Sequence, residues 1–278
     1  MVNGTTIALY GDSGSGKTTQ AGEYAKYVKK STGGNSVLFT SDLGGYDSIA
    51  NLVKASIVRP VELEPKSDPW IYLDDAVNGS LLKEDDKLVI FDSGTSLGEA
   101  LLHACSHSTF QIGQEKAQRF AVSQGSRSLS VSTNGKAHYG VVQGFLLDAI
   151  WKSTWLTRKG VNVLWTFSVD RGEEADRTPI LGPKLAGHAL TAAMPKWFKY
   201  TWKITSVPRP DSTPTHRLFL TEAPEMAGLG HSFSNSRYPL GATPLPAFIE
   251  PASIPEALRL IELGQKEADE LLAKELNS

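Results

Sequence analysis

The stretch Gly11-Asp12-Ser13-Gly14-Ser15-Gly16-Lys17-Thr18 restricts the architecture of this chain more than any other feature of its sequence. It fits the pattern G-x-x-x-x-G-K-[ST] and stands between a short apolar run, Thr5 to Tyr10, and helix-compatible residues from Lys17 to Lys30. That context predicts a strand, a loop and a helix in direct succession. Glycines free such a loop to curl until consecutive backbone N–H groups converge on one anion, and the helix N-terminus adds its positive dipole end. The implied ligand is a nucleotide phosphate chain, cradled by Gly11, Asp12, Ser13, Gly14, Ser15, Gly16 and Thr19. Lys17 reaches the β- and γ-phosphates, and Thr18 offers a hydroxyl to Mg2+.

Asp92 closes the run Leu88-Val89-Ile90-Phe91. A carboxylate there emerges at the carboxyl edge of a buried strand, where open α/β sheets bind ligands. It is the expected partner of Thr18 in holding Mg2+. Ser93 either orients the same water network or caps the helix expected over Ser96 to His107. For the group that activates water, Asp42 after the strand Ser36 to Thr40 is the leading candidate, with turn formation before Gly44-Gly45 as its alternative role. Ser168, at the end of Val161 to Phe167, is a candidate contact for the γ-phosphate.

The remaining pattern continues the α/β alternation. Continuous apolar runs such as Lys87 to Phe91 and Val161 to Phe167 suit strands covered on both faces, and Val141 to Leu156 has helical spacing ending near Gly160. The expectation is a mostly parallel sheet flanked by helices. Phe198 to Val207 and His216 to Thr221 alternate around a Pro-rich turn, which predicts an antiparallel hairpin added to the sheet edge. Pro255 to Leu276 reads as an amphipathic helix with Leu258, Ile261, Leu271 and Leu272 among its apolar residues. This divides the chain into a domain over 1–250 and a C-terminal helix over 251–278, with 108–138 as a mobile basic excursion.

Charge and cysteine content narrow the function classes. The 28 Lys plus Arg against 30 Asp plus Glu disfavour a surface that binds polyanions everywhere, though not a local basic groove. That groove is expected in 108–138, where Lys116, Arg119, Arg127 and Lys136 against Glu115 leave a net +3. The single cysteine, Cys105, excludes an intrachain disulfide framework and multi-cysteine metal sites. With no run long enough to span a membrane and no secretion-signal layout, the chain reads as cytoplasmic with no membrane partner.

Taken in order, GDSGSGKTT, SVLFTSD, KLVIFDSGTS, HYGVVQGFLLDAI, VNVLWTF, GPKLAGHAL, FKYTWKI and SNSRYPLG resemble the phosphate-loop ATPases with a RecA-like core. Within them, the chain is similar to small phage-encoded RecA-like proteins of recombination and single-strand annealing. The resemblance covers about residues 3 to 250 and implies ATP and Mg2+ as ligands, a homo-oligomer (ring or filament), single-stranded DNA as partner, and a phage protein in a bacterial cytoplasm. It also implies DNA-contacting loops at 108–138, with Phe110 and Phe120 as stacking groups, and at 169–185, whose net charge of −1 departs from the pattern. Arg237 matches the residue such ATPases present to a neighbour's γ-phosphate; Arg217 is the weaker alternative. The pair Phe167-Ser168 departs from the usual Gln, Asn or His at the sensing position.

A nucleotide-dependent assembly module with a protein partner and no nucleic acid is the other reading. A small-molecule kinase would need an arginine-rich lid and an acceptor pocket, and neither is evident.

Overall fold

Apolar runs with no polar alternation form the centre of the sheet. A computed structural model of the chain describes residues 4–276 except 43, 65–66, 108–117, 125–126, 134–135, 174–178, 186–193, 210–213, 222–230 and 233. Of 106–107, 118–124, 127–133, 136–137, 171–173, 179–180 and 231–232 it describes the backbone. The parallel strands are β1 (Thr6–Tyr10), β2 (Asn35–Thr40), β3 (Val58–Glu62), β4 (Asp86–Phe91) and β7 (Asn162–Phe167), joined by β10 (Tyr200–Val207) beside β1. β11 (Thr215–Phe219) and β14 (Phe248–Ile249) continue the sheet antiparallel, and β13 (Asn235–Ser236) adds to β10. The order is β14-β11-β10-β1-β7-β4-β2-β3. This is the expected arrangement of a mostly parallel sheet with an antiparallel hairpin on the β1 side.

Helices cover both faces. α1 (Lys17–Thr32) packs Ala21, Tyr24, Ala25 and Val28 onto Ile7, Leu9, Leu38, Ile90 and Leu164. α3 (Pro69–Asn78), α4 (Gly94–His107) and α5 (Lys136–Thr154) cover the other face through residues such as Leu73, Leu101 and Leu146. There the rings of Phe39, Phe91, Trp165 and Phe167 form a row, with centroids of 5.5, 4.0 and 6.0 Å between successive members. Strand alternation splits these sets, with odd and even positions facing opposite layers. The short α2 (Ala50–Lys54) follows a 3-10 turn at Asp47–Ile49.

Three stretches show structure that the sequence reading did not specify. The 108–138 stretch contains an antiparallel hairpin, β5 (Gln118–Gln124) with β6 (Arg127–Thr133), and the first turn of α5. Its alternation is carried by Phe120 and Val122 opposite Val131 and Leu129, diluted by Ser and Thr. The 169–185 stretch likewise holds a hairpin, β8 (Val169–Glu173) with β9 (Pro179–Pro183), to which β12 (His231–Ser232) adds in parallel. In the C-terminal helix α6 (Ile254–Leu276), Leu258 and Ile261 are buried against α1, but Leu271 and Leu272 are 40% and 56% exposed. The helix outruns the surface it packs on.

β3 was missed because Arg59 and Pro60 interrupt its apolar run. Proline is tolerated there because β3 is an edge strand. Among the described residues no helix is long and apolar enough to cross a membrane.

Candidate functional site: a phosphate loop facing a carboxylate across β7

β1 delivers the chain to Gly11, and the loop turns into α1 through Gly14 (φ 74°) and Gly16 (φ 89°), both in the left-handed region. A side chain is strained at those angles. Gly16 is also approached by the His216 ring of β11, 3.5 Å from where a Cβ would stand. The Lys17 ammonium curls back into the loop and donates to Gly11 O and Asp12 O, both at 2.8 Å. Burial lowers its pKa from the ordinary lysine value, against the opposing attraction of Asp92 and Asp12. A cation desolvated among backbone carbonyls gains from an arriving anion.

Thr18, on the first turn of α1, donates from Oγ1 to Asp92 Oδ2 at 2.7 Å. β7 lies between β1 and β4, so loop and carboxylate stand on strands two places apart in the sheet. Thr166 of β7 fills that gap, donating from Oγ1 to Asp92 Oδ1 in a short hydrogen bond. Asp92 is 8% exposed and Thr166 fully buried.

A cleft of about 340 Å3 opens above these groups, lined by Lys17, Thr18, Thr19, Asp42, Asp92 and Ser168 among others. Asp42 Oδ2 accepts from Ser96 Oγ at 3.2 Å. Burial pushes the Asp42 carboxyl up from the ordinary aspartate value; the Ser96 hydroxyl opposes this, while the charges of Asp92 and Glu99 add to it. Ser93 serves as a helix cap, its Oγ accepting from Ser96 N at 3.1 Å. The Ser168 backbone N–H donates to Thr95 Oγ1 at 3.0 Å, and Thr95 Oγ1 donates to Lys184 O at 2.7 Å. That links the cleft to the end of β9.

The cleft's donors suit a triphosphate with a hard divalent cation. Loop amides and Lys17 are the donors such phosphates would need, and hydroxyl and carboxylate oxygens are the ligands Mg2+ favours. Among the described residues no group of three or more His, Cys, Asp or Glu forms a cage that would hold a metal without the phosphates.

Arg237 does not join this cleft. It follows β13, which pairs with the start of β10 at Tyr200, level with Ile7 at the start of β1. Its guanidinium donates to Lys196 O at 3.0 Å. It therefore lies at the amino edge of the sheet, a strand length from its own phosphate loop. Arg217, on β11 opposite Thr205, is held by Glu250 at 2.5 Å. Lys116 lies outside the described residues. Arg119 and Arg127 stand on β5 and β6, and Lys136 opens α5.

Sequence reasoning missed Thr166 and His216. A threonine inside the apolar strand NVLWTF was the available signal for the first, since a buried hydroxyl needs a partner. No signal pointed to His216, which is brought to the loop by strand pairing.

No protein-family model matches the chain. No curated protein matches it either. Among solved structures, it is similar to a KaiC-like protein, PH0186, from the hyperthermophilic archaeon Pyrococcus horikoshii OT3, at 12% identity and a TM-score of 0.44, over 83% of this chain and 89% of that one. The strand order and loop described above define a phosphate-loop α/β architecture without recourse to that likeness.

Proposed function

We propose that the chain binds Mg-ATP in the cleft at the carboxyl edge of its sheet and hydrolyses it, with single-stranded DNA as its partner. The observation that carries the nucleotide reading is the convergence of Lys17, the Thr18 hydroxyl and Asp92 on one cleft. Magnesium, when bound, screens the phosphate charge and draws the phosphate oxygens into register. Thr18 and Asp92 hold it, the loop amides orient the phosphates, and Lys17 neutralises the β- and γ-phosphate oxygens. Asp42 accepts a proton from the attacking water; its carboxyl, raised by burial, is the more basic for it. Arg237 acts only on the nucleotide of a neighbouring copy, across an amino-edge to carboxyl-edge contact.

The DNA part rests on the basic residues Lys116, Arg119, Arg127 and Lys136 and on the stacking group Phe120. Calorimetry with Mg-ATP tests the first part. Filter binding of single-stranded DNA over a salt series tests the second, since phosphate contacts demand a steep loss of affinity with salt. A salt-insensitive or absent interaction favours the reading as an assembly module with a protein partner, towards which the net −1 of 169–185 inclines.

A further inference from the structure

We infer that Thr166 is a positioning residue for the metal: it fixes the rotation of the Asp92 carboxylate so that Thr18 presents its lone pairs, not its proton, to the cation. This rests on the nucleotide reading above and concerns the same cleft. A hydroxyl has one proton and two acceptor lone pairs. Thr18 spends its proton on Asp92 Oδ2 at 2.7 Å, which leaves its lone pairs free. That geometry survives only if the carboxylate cannot turn, and the second oxygen, Oδ1, is held by the Thr166 hydroxyl.

Register makes this arrangement a property of the sheet. Phe91 is level with Trp165, so the next residues, Asp92 and Thr166, stand side by side. Leu88 and Ile90 face the α1 layer, as does Leu164. Alternation therefore turns Asp92 and Thr166 to that same layer, toward Thr18. Thr166 also occupies the β7 position opposite Leu9 of β1 and is fully buried, so its hydroxyl has no water to turn to. A hydroxyl in the middle of an otherwise apolar strand is costly to bury without a partner.

The test is a Mg2+ titration of a fluorescent ADP analogue on three full-length proteins: wild type, Thr166→Val and Thr166→Ser. Valine keeps the shape and removes the hydroxyl; serine restores it. The expected result is that Thr166→Val needs about tenfold more Mg2+ for half-saturation, in line with the loss of a group that orients a metal ligand. Its affinity for the analogue in EDTA should equal wild type, and Thr166→Ser should recover the wild-type Mg2+ dependence. An unchanged Mg2+ requirement in Thr166→Val overturns the assignment. So does an equal loss of affinity with and without Mg2+, which would make Thr166 a prop for the loop. Wild type that fails to bind the analogue under any condition would instead sink the nucleotide reading itself.

Discussion

Gly94 stands against the Phe167 ring so closely that a Cβ on it would lie 2.4 Å from Phe167 Cε1. The contact lets α4 begin two residues after Asp92 without a gap above the sheet. Phe167 has little room to retreat, being stacked along the row from Trp165 and capped edge-on by Phe198 at 6.3 Å. Gly94→Ala should therefore destabilise the fold by about 1–3 kcal/mol, the usual range for overpacking. A urea midpoint equal to wild type would show that the row yields.

Lys17→Ala should weaken ATP by roughly ten- to a hundredfold, from the loss of hydrogen bonds between a charged donor and the phosphates. Titration calorimetry at saturating Mg2+ reads this directly. Wild-type affinity in the variant would mean that the ammonium stays on the Gly11 and Asp12 carbonyls when nucleotide binds.

If Asp42 takes the proton of the attacking water, it sets the pH behaviour. Its carboxyl is raised in the folded state, so the ionised, proton-accepting form is reached at a higher pH than for an ordinary aspartate. The acid limb of kcat/KM should accordingly lie above the position an ordinary aspartate would give it, and Asp42→Asn should flatten that limb while lowering the rate. The linked effect on stability has the opposite slope. A folded-state carboxyl that holds its proton more tightly than the unfolded chain makes wild type more stable as pH falls through its folded value. Denaturation curves of wild type and Asp42→Asn at several pH values should converge on the acid side.

At the amino edge, Asp86 is buried with its Oδ2 shared by Arg59 Nη2 at 2.7 Å and the Lys83 N–H at 2.8 Å. Asp86→Ala leaves the Lys83 N–H without its acceptor and the Arg59 guanidinium without its counter-ion, with only Leu81 O at 3.0 Å still accepting from Nη2. A loss of about 3 kcal/mol is expected from breaking such a pair by removing one partner. A double variant, Arg59→Met with Asp86→Leu, should recover much of it. No recovery would mean that the pair also sets the path of the 81–86 turn.

If Arg237 serves a neighbour, Arg237→Ala keeps nucleotide affinity and loses turnover. Mixing it with Lys17→Ala then restores activity, since each variant lacks what the other supplies. Two inactive preparations that stay inactive together would dispose of the trans role.

Local features were legible in the sequence and long-range ones were not. The phosphate loop, the strand ending at Asp92 and the β10–β11 hairpin each announce themselves within about a dozen residues, through glycine spacing, an unbroken apolar run or alternation. Asp42 was found because it too follows a strand. By contrast, the partnership of Asp92 with Thr166 exists only through the β4–β7 register, which no local pattern encodes. Arg237 resembled a phosphate-contacting residue by its place in the chain, yet pairing of β13 with the start of β10 sends it to the far edge. The β5–β6 hairpin escaped because its solvent-compatible Ser and Thr residues conceal the alternation of Phe120, Val122, Leu129 and Val131.

The intercalation of β7 between β1 and β4 turns the sheet itself into a calliper. The strands that carry the loop and the carboxylate are held two interstrand gaps apart, roughly 10 Å, by the backbone ladders, and the Thr18 and Asp92 side chains close that span. What stands above the sheet is tied by side-chain hydrogen bonds instead: Asp42 to Ser96, Ser93 to Ser96, and Thr95 to the end of β9.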